Sequence, residues 1–293
     1  MFWIALFTLQ ANAPPATDIY LADLRVDHRR VTVGGPVNVT ARPGYDNQPS
    51  FLPGGHAFLY TSIHEDGQAD IYRYDLDKKT SIRVTDTRES EYSPTPLPKG
   101  AAFSVVRVEA DSTQRLWAFD ADGTHPRLVL DSIKPVGYHV WGDDHVLVLF
   151  VLGNPPTLQI ADARSPGKQG EVVARDIGRS LQRIPGHAAV SFVQRDSVAG
   201  NWLEQLDIRT HEVTKLVKVP AGADFFVWTR EGIVLTGSGT TLFQWDPERG
   251  TGWDTVADFT ATGLTGISRL AISPRGNRLA IVAVPPPSAP AAR

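Results

Sequence analysis

Cysteine is missing from all 293 residues, which excludes disulfides, thiolate nucleophiles and Cys-based zinc sites and is neutral about compartment. An excess of one charge is missing too. The 29 basic and 32 acidic residues give a formal net charge of −3 and are scattered without blocks. No basic stripe is therefore present to neutralise a phosphate backbone, and nucleic acid is not an expected partner. After the opening residues no run of 18 or more apolar residues occurs, so no membrane span is expected in the mature chain. Helical periodicity is nearly absent, and there is no Gly-x-Ser-x-Gly elbow, His-Glu-x-x-His pair, Walker loop or dinucleotide-binding glycine pattern. These absences leave no catalytic residue, no metal-ligand motif and no cofactor to be expected.

What is present is punctuation and repetition. The 25 glycines and 22 prolines fall as turn residues between short apolar runs. One pattern recurs six times, a five-residue strand that begins with Ile or Leu and closes with Asp. Its copies are Ile19 to Asp23, Ile71 to Asp75, Leu116 to Asp120, Leu158 to Asp162, Leu203 to Asp207 and Leu242 to Asp246. Successive closing aspartates lie 52, 45, 42, 45 and 39 residues apart, a spacing of about 45 that matches one four-stranded propeller blade. Upstream of every copy but the first lies an apolar strand, a turn and a second apolar strand, as in Ser50 to Thr61 or Gln182 to Val193. A further such hairpin stands alone at Leu270 to Val282.

Naming the hairpin strands a and b, the Asp-ended strand c and the short run after it d, five blades are complete in sequence. The chain then ends on an unpaired a–b and begins on an unpaired c–d, and joining the two makes a sixth blade without exposed edges. The c strands are apolar on both faces: Leu116 and Ala118 point one way, Trp117 and Phe119 the other. That fits a sheet sandwiched between two others. The expected fold is all-β, a six-bladed propeller of four-stranded antiparallel blades in one domain spanning residues 17–284. Gly237-Ser238-Gly239 reads as the b–c hairpin of the fifth blade.

The termini read differently. Met1 to Ala13, MFWIALFTLQANA, is an apolar run ending in Ala-x-Ala and reads as a signal peptide cleaved after Ala13. A periplasmic or secreted location follows. The alternative is a buried first strand or an uncleaved anchor. Residues 285–293 form a Pro/Ala-rich tail that is expected to be disordered.

The best-formed repeat runs PSFLPGGHAFLYTS from Pro49, then DIYRYDL from Asp70 to Leu76, then RVT from Arg83 to Thr85, and Ser273 to Asn277 repeats its turn. This resembles the TolB-like propeller repeat. The resemblance covers the propeller only, since some 18 residues precede the first strand and leave no room for the α/β domain found in TolB itself. It implies an extracytoplasmic six-bladed propeller that binds proteins or peptides. The same repeat builds the propeller of prolyl-oligopeptidase-type enzymes, whose hydrolase domain does not fit in this length.

On a rigid propeller the d–a and b–c loops share the face around the channel mouth, and loops carry variable function. The first d–a loop offers Tyr45, Asp46, Asn47 and Gln48, the second Glu89, Glu91 and Tyr92. Later strand starts add Tyr138, His139, Arg183 and Asp224, and a b–c loop adds His64. Such a mouth would suit a peptide or a cationic group. The six closing aspartates read better as turn caps, accepting bonds from backbone N–H groups two or three residues on, than as a metal ring. The leading functional reading is a non-catalytic interaction module for a protein or peptide ligand. Two alternatives are a metal-dependent propeller hydrolase or lactonase, drawing ligands from Asp46, Asn47, Glu91, His139 and Asp224, and an accessory or sensor propeller of a separately encoded enzyme. Oligomeric state has no sequence signature here.

Overall fold

In a computed structural model, residues 14–100, 102–250 and 252–286 are described. The expected leader, Met1 to Ala13, and most of the expected tail lie outside them. Short apolar strands separated by Gly and Pro turns fold into six sheets. In chain order the inner a strands are Tyr45–Phe51, Ser90–Pro96, Val136–Trp141, Ile177–Arg183, Phe226–Trp228 and Leu270–Ile272. Blades 1 to 5 are antiparallel four-stranded meanders that run a to d outward from the channel. One 3₁₀ turn, Thr260–Thr262, is the single helical element among the described residues.

The sixth blade closes as expected. The first strand, Asp18–Asp27, pairs antiparallel with the last, Arg278–Ala283, with Tyr20 opposite Ile281 and Leu21 opposite Ala280. Its outer edge is shared by Arg30–Val33 and by the two-residue strand Val37–Asn38. The head of the chain therefore supplies three strands and the tail two of one five-stranded sheet, and their pairing leaves neither Asp18–Asp27 nor Arg278–Ala283 as an open edge on which another chain might template.

Apolar clusters fill the gaps between blades. Val148, Phe150 and Ile160 of blade 3 pack against Leu181, Val190 and Phe192 of blade 4. Two-sided burial of the c strands is direct in blade 2, where Leu116 joins the cluster shared with blade 3 and Phe119 the cluster shared with blade 1, both with no exposed surface. Each such side chain contributes on the order of 1.5–3 kcal/mol of burial.

Two seams carry the same polar device. The last residue of an a strand is Trp, whose indole N–H donates to a serine in the b strand of the preceding blade. That serine in turn donates to a carbonyl of its own a strand. Trp141 Nε1 donates to Ser104 Oγ at 3.0 Å and Ser104 to the Thr95 carbonyl at 3.2 Å. Trp228 Nε1 donates to Ser191 Oγ at 2.7 Å and Ser191 to the Gln182 carbonyl at 3.2 Å. Each link satisfies a buried indole and fixes the depth of one blade against the next.

The closing aspartates are turn caps in four blades of six. Asp75, Asp162, Asp207 and Asp246 accept backbone N–H bonds from residues two or three on. These bonds hold the Asp75 and Asp207 carboxyls below the usual range. Asp162 is drawn down to about 2, first by the Arg164 side chain. Asp120 and Asp23 depart from the expectation and pair with Arg127 and Arg278 instead.

Candidate functional site: the channel mouth

The first half of each inner strand differs from the second. Register slips between Asn47 and Ser50, Tyr92 and Thr95, Val136 and Tyr138, and Ile177 and Leu181. These are bulges, which turn side chains out of the sheet plane. In blades 1 and 2 the bulged residue has a positive φ, 60° at Gln48 and 55° at Ser93, and each is followed by Pro. A non-glycine residue held there costs roughly 1–3 kcal/mol, a strain that packed neighbours must offset. At Gln48 the offset is visible: its Oε1 accepts bonds from Thr61 Oγ1 and from the Ser93 amide, both at 2.7 Å, which ties blade 1 to blade 2.

One residue per blade, in four of the blades at or beside a bulge, lines the channel. Counting back three places from the last residue of each inner strand gives Gln48, Ser93, Tyr138, Ser180, Phe225 and Arg269, and all six line one cavity of about 160 Å³ in the channel. His139 and Arg179 line it as well. Among the described residues, those lining the cavity carry two formal charges, Arg179 and Arg269, both positive.

Arg269 lies between aromatic faces, its guanidinium carbon 4.2 Å from the Phe225 ring centre and 5.0 Å from that of Tyr138. Nη1 donates to Asn47 Oδ1 at 3.2 Å. No carboxylate among the described residues pairs with it or with the exposed Arg179. Tyr45 stands within reach of both cations, yet burial dominates and pushes its phenol up to about 12.

The acids expected at the mouth are engaged elsewhere. Asp46 is fully buried, 2.5 Å from Arg42 and 2.6 Å from the Ser62 hydroxyl. Glu89 and Glu91 share Arg107, at 2.6 and 3.3 Å. Asp224 lies 3.3 Å from Arg195. The mouth therefore does not present the carboxylates that would suit a cationic group, because each acid has an arginine of its own or an adjacent blade. Burial pushes Glu91 up to about 7 despite Arg107 and the Thr87 hydroxyl.

His139 sits behind the ring, only 7% exposed. Its Nε2 is 2.6 Å from Ser104 Oγ. Because Ser104 spends its hydrogen on the Thr95 carbonyl, as Ser191 does on Gln182, His139 is assigned Nε2–H and donates to Ser104. Nδ1 is then a bare acceptor with no partner among the described residues, and the buried Ser93 hydroxyl lacks a partner too. Desolvation pushes His139 down to about 3, so the ring is neutral.

The other expected site residues divide. Tyr45, Asn47, Tyr92 and Tyr138 lie on inner strands at the mouth, and His64 is exposed in the b–c loop, stacked on Tyr72 with ring centres 4.8 Å apart. Tyr45 to Gln48 and Ser90 to Tyr92 are strand rather than loop. Arg183 is a correction: it ends the inner strand Ile177–Arg183, next to the a–b turn on the opposite face, and Arg179 takes the place at the mouth. The five residues expected as ligands under the metal-dependent alternative, Asp46, Asn47, Glu91, His139 and Asp224, sit in separate pairings. Among the described residues no three His, Asp or Glu side chains come together in a way that holds a cation.

The fold and this mouth define a six-bladed β-propeller closed by strand exchange between its ends, with a polar and aromatic channel entrance. Its architecture is that of the TolB propeller. A protein assigned as a TolB from Agrobacterium tumefaciens superposes with a TM-score of 0.70 over 92% of this chain and 98% of that one, at 14% identity. The TolB of Acinetobacter baumannii gives 0.58 over 90% of this chain and 63% of that one, at 15% identity. A gluconolactonase from Xanthomonas campestris gives 0.60 over 82% and 86%, at 11% identity. At these identities the likeness is one of fold. No family model matches the chain.

Proposed function

We propose that this chain is a non-catalytic, extracytoplasmic interaction module that holds a protein or peptide ligand at the channel mouth. The observation that carries the reading is the cavity itself, to which all six blades contribute one residue and in which two arginines have no carboxylate partner, Arg269 lying among aromatic rings. Rigid aromatic surface with an unneutralised arginine is what ligand-binding hot spots are made of. Among the described residues no helix is long and apolar enough to cross a membrane, and the extracytoplasmic location rests on the apolar leader Met1 to Ala13. The lactonase reading has less support, since its required ligand set does not converge.

The test is capture from an envelope extract with the full chain and with Arg179→Gln, Arg269→Gln and the double variant. The expected result is a partner retained by the wild type and lost from the double variant, with unchanged far-ultraviolet circular dichroism. Retention of the same partners by the double variant would place the binding surface elsewhere. Elemental analysis after dialysis separates the alternative, which needs stoichiometric metal where the interaction reading needs none.

A further inference from the structure

We infer that the mouth recognises a free carboxylate carried next to an aromatic or other planar side chain, with the C-terminus of a peptide as the source that its remaining groups fit best. This deepens the function proposed above and rests on it. Four observations converge on it.

First, the two cations in the cavity wall are arginines, whose planar forks pair with carboxylates bidentately. Second, Arg269 is held by its two aromatic neighbours and a single amide oxygen. It is oriented but not neutralised, so its remaining N–H groups are available to an anion. Third, the cavity of about 160 Å³ is close to the roughly 150 Å³ that accepts a benzene-sized molecule. That leaves room for one planar side chain, with the groups next to it at the open mouth. Fourth, two buried polar atoms of the lining lack partners: His139 Nδ1, on a ring more than nine-tenths buried, and Ser93 Oγ.

A peptide end matches this set in charge and in hydrogen bonding. Its carboxylate meets Arg179 and Arg269, and its last side chain lies against Tyr138 and Phe225. Its last amide N–H offers a donor to the bare Nδ1 acceptor, which a simple organic acid lacks. A C-terminal amide removes the charge while keeping shape and size, and therefore isolates the carboxylate.

The experiment is isothermal titration of the full chain with three probes: N-acetyl-Gly-Ala-Phe as the free acid, the same peptide as its C-terminal amide, and benzoate. The expected result is that the acid binds about tenfold or more tightly than the amide, the scale of a hydrogen bond to a charged group. Arg179→Gln and Arg269→Gln should each erase most of that ratio, and raised salt should shrink it. Arg179 is exposed and unpaired, so its variant separates lost binding from lost folding. Benzoate binding as tightly as the peptide acid would keep the carboxylate and assign a small acid as its source. Equal affinity for acid and amide, or no detectable binding of either carboxylate, overturns the inference. If that happens while the double variant still loses its envelope partner, the mouth binds protein by other chemistry and the proposed function stands. If the partner is also retained, both fail.

Discussion

Glu91 has no solvent contact and only a share of one arginine. Its carboxyl titrates near 7 in the folded chain because burial penalises the charged form more than Arg107 and Thr87 favour it. Between the ordinary carboxylate range and about 7, the folded chain holds a proton that the unfolded chain has released, so this residue's contribution to stability falls as pH rises through that window. Glu91→Gln, neutral at every pH, should therefore gain on the wild type from pH 5 to pH 8. The gap in melting temperature should move by several degrees in the variant's favour, at about 2–4 °C per kcal/mol. A gap independent of pH would mean that Glu91 is charged throughout. A second single-residue constraint lies at the rim of blade 2. Gly123 has φ of +82°, and a Cβ there would stand 2.0 Å from the backbone carbonyl oxygen of Val84 in blade 1. Gly123→Ala should cost about 2–4 kcal/mol, since both the backbone conformation and the blade seam must give. Chemical denaturation measures it, and a loss under about 0.5 kcal/mol, ordinary for a surface substitution, would show that the seam can open freely.

Strands differ in how plainly they announce themselves. The b strands and most of the Asp-ended c strands are apolar and legible, because they are buried between blades. The first halves of the a strands face the channel, carry Asp46, Asn47, Gln48 or Glu91, and bulge before Pro49 and Pro94. They look like loops for that reason. The same effect misplaced Arg183 and hid Arg179 and Arg269, which lie in polar stretches with no apolar alternation to set their register. The signal that finds Arg269 is positional, three residues back from the end of each inner strand, and it needs strand ends that only the fold supplies. The closing strand Asp18–Asp27 is legible for the opposite reason, being an ordinary c strand displaced to the front of the chain. It buries Ile19, Tyr20 and Leu24, worth on the order of 5–9 kcal/mol together. Since whole domains are stable by about 5–15 kcal/mol, a variant lacking residues 14–26 should fail to fold or melt well over 10 °C lower. An unchanged melting curve would contradict the pairing of Tyr20 with Ile281.

The ring as a whole distributes its charge unevenly by function. On the mouth face carboxylates are matched by Arg42, Arg107 and Arg195, while the cavity at the axis keeps two cations unmatched. A low-dielectric rim around uncompensated charge focuses its field outward, which speeds encounter with an oppositely charged ligand. The sheet that completes the ring also sets the order of events in biogenesis. Strand Asp18–Asp27 is made early and meets its partner only after Arg278 has been synthesised, a delay of roughly 10–50 s at about 5–20 residues per second. During that interval Ile19 and Tyr20 sit on an open edge in water. The circle therefore shuts only once the last strand has been made, and a polypeptide stopped before Arg278 leaves its first strand without a mate.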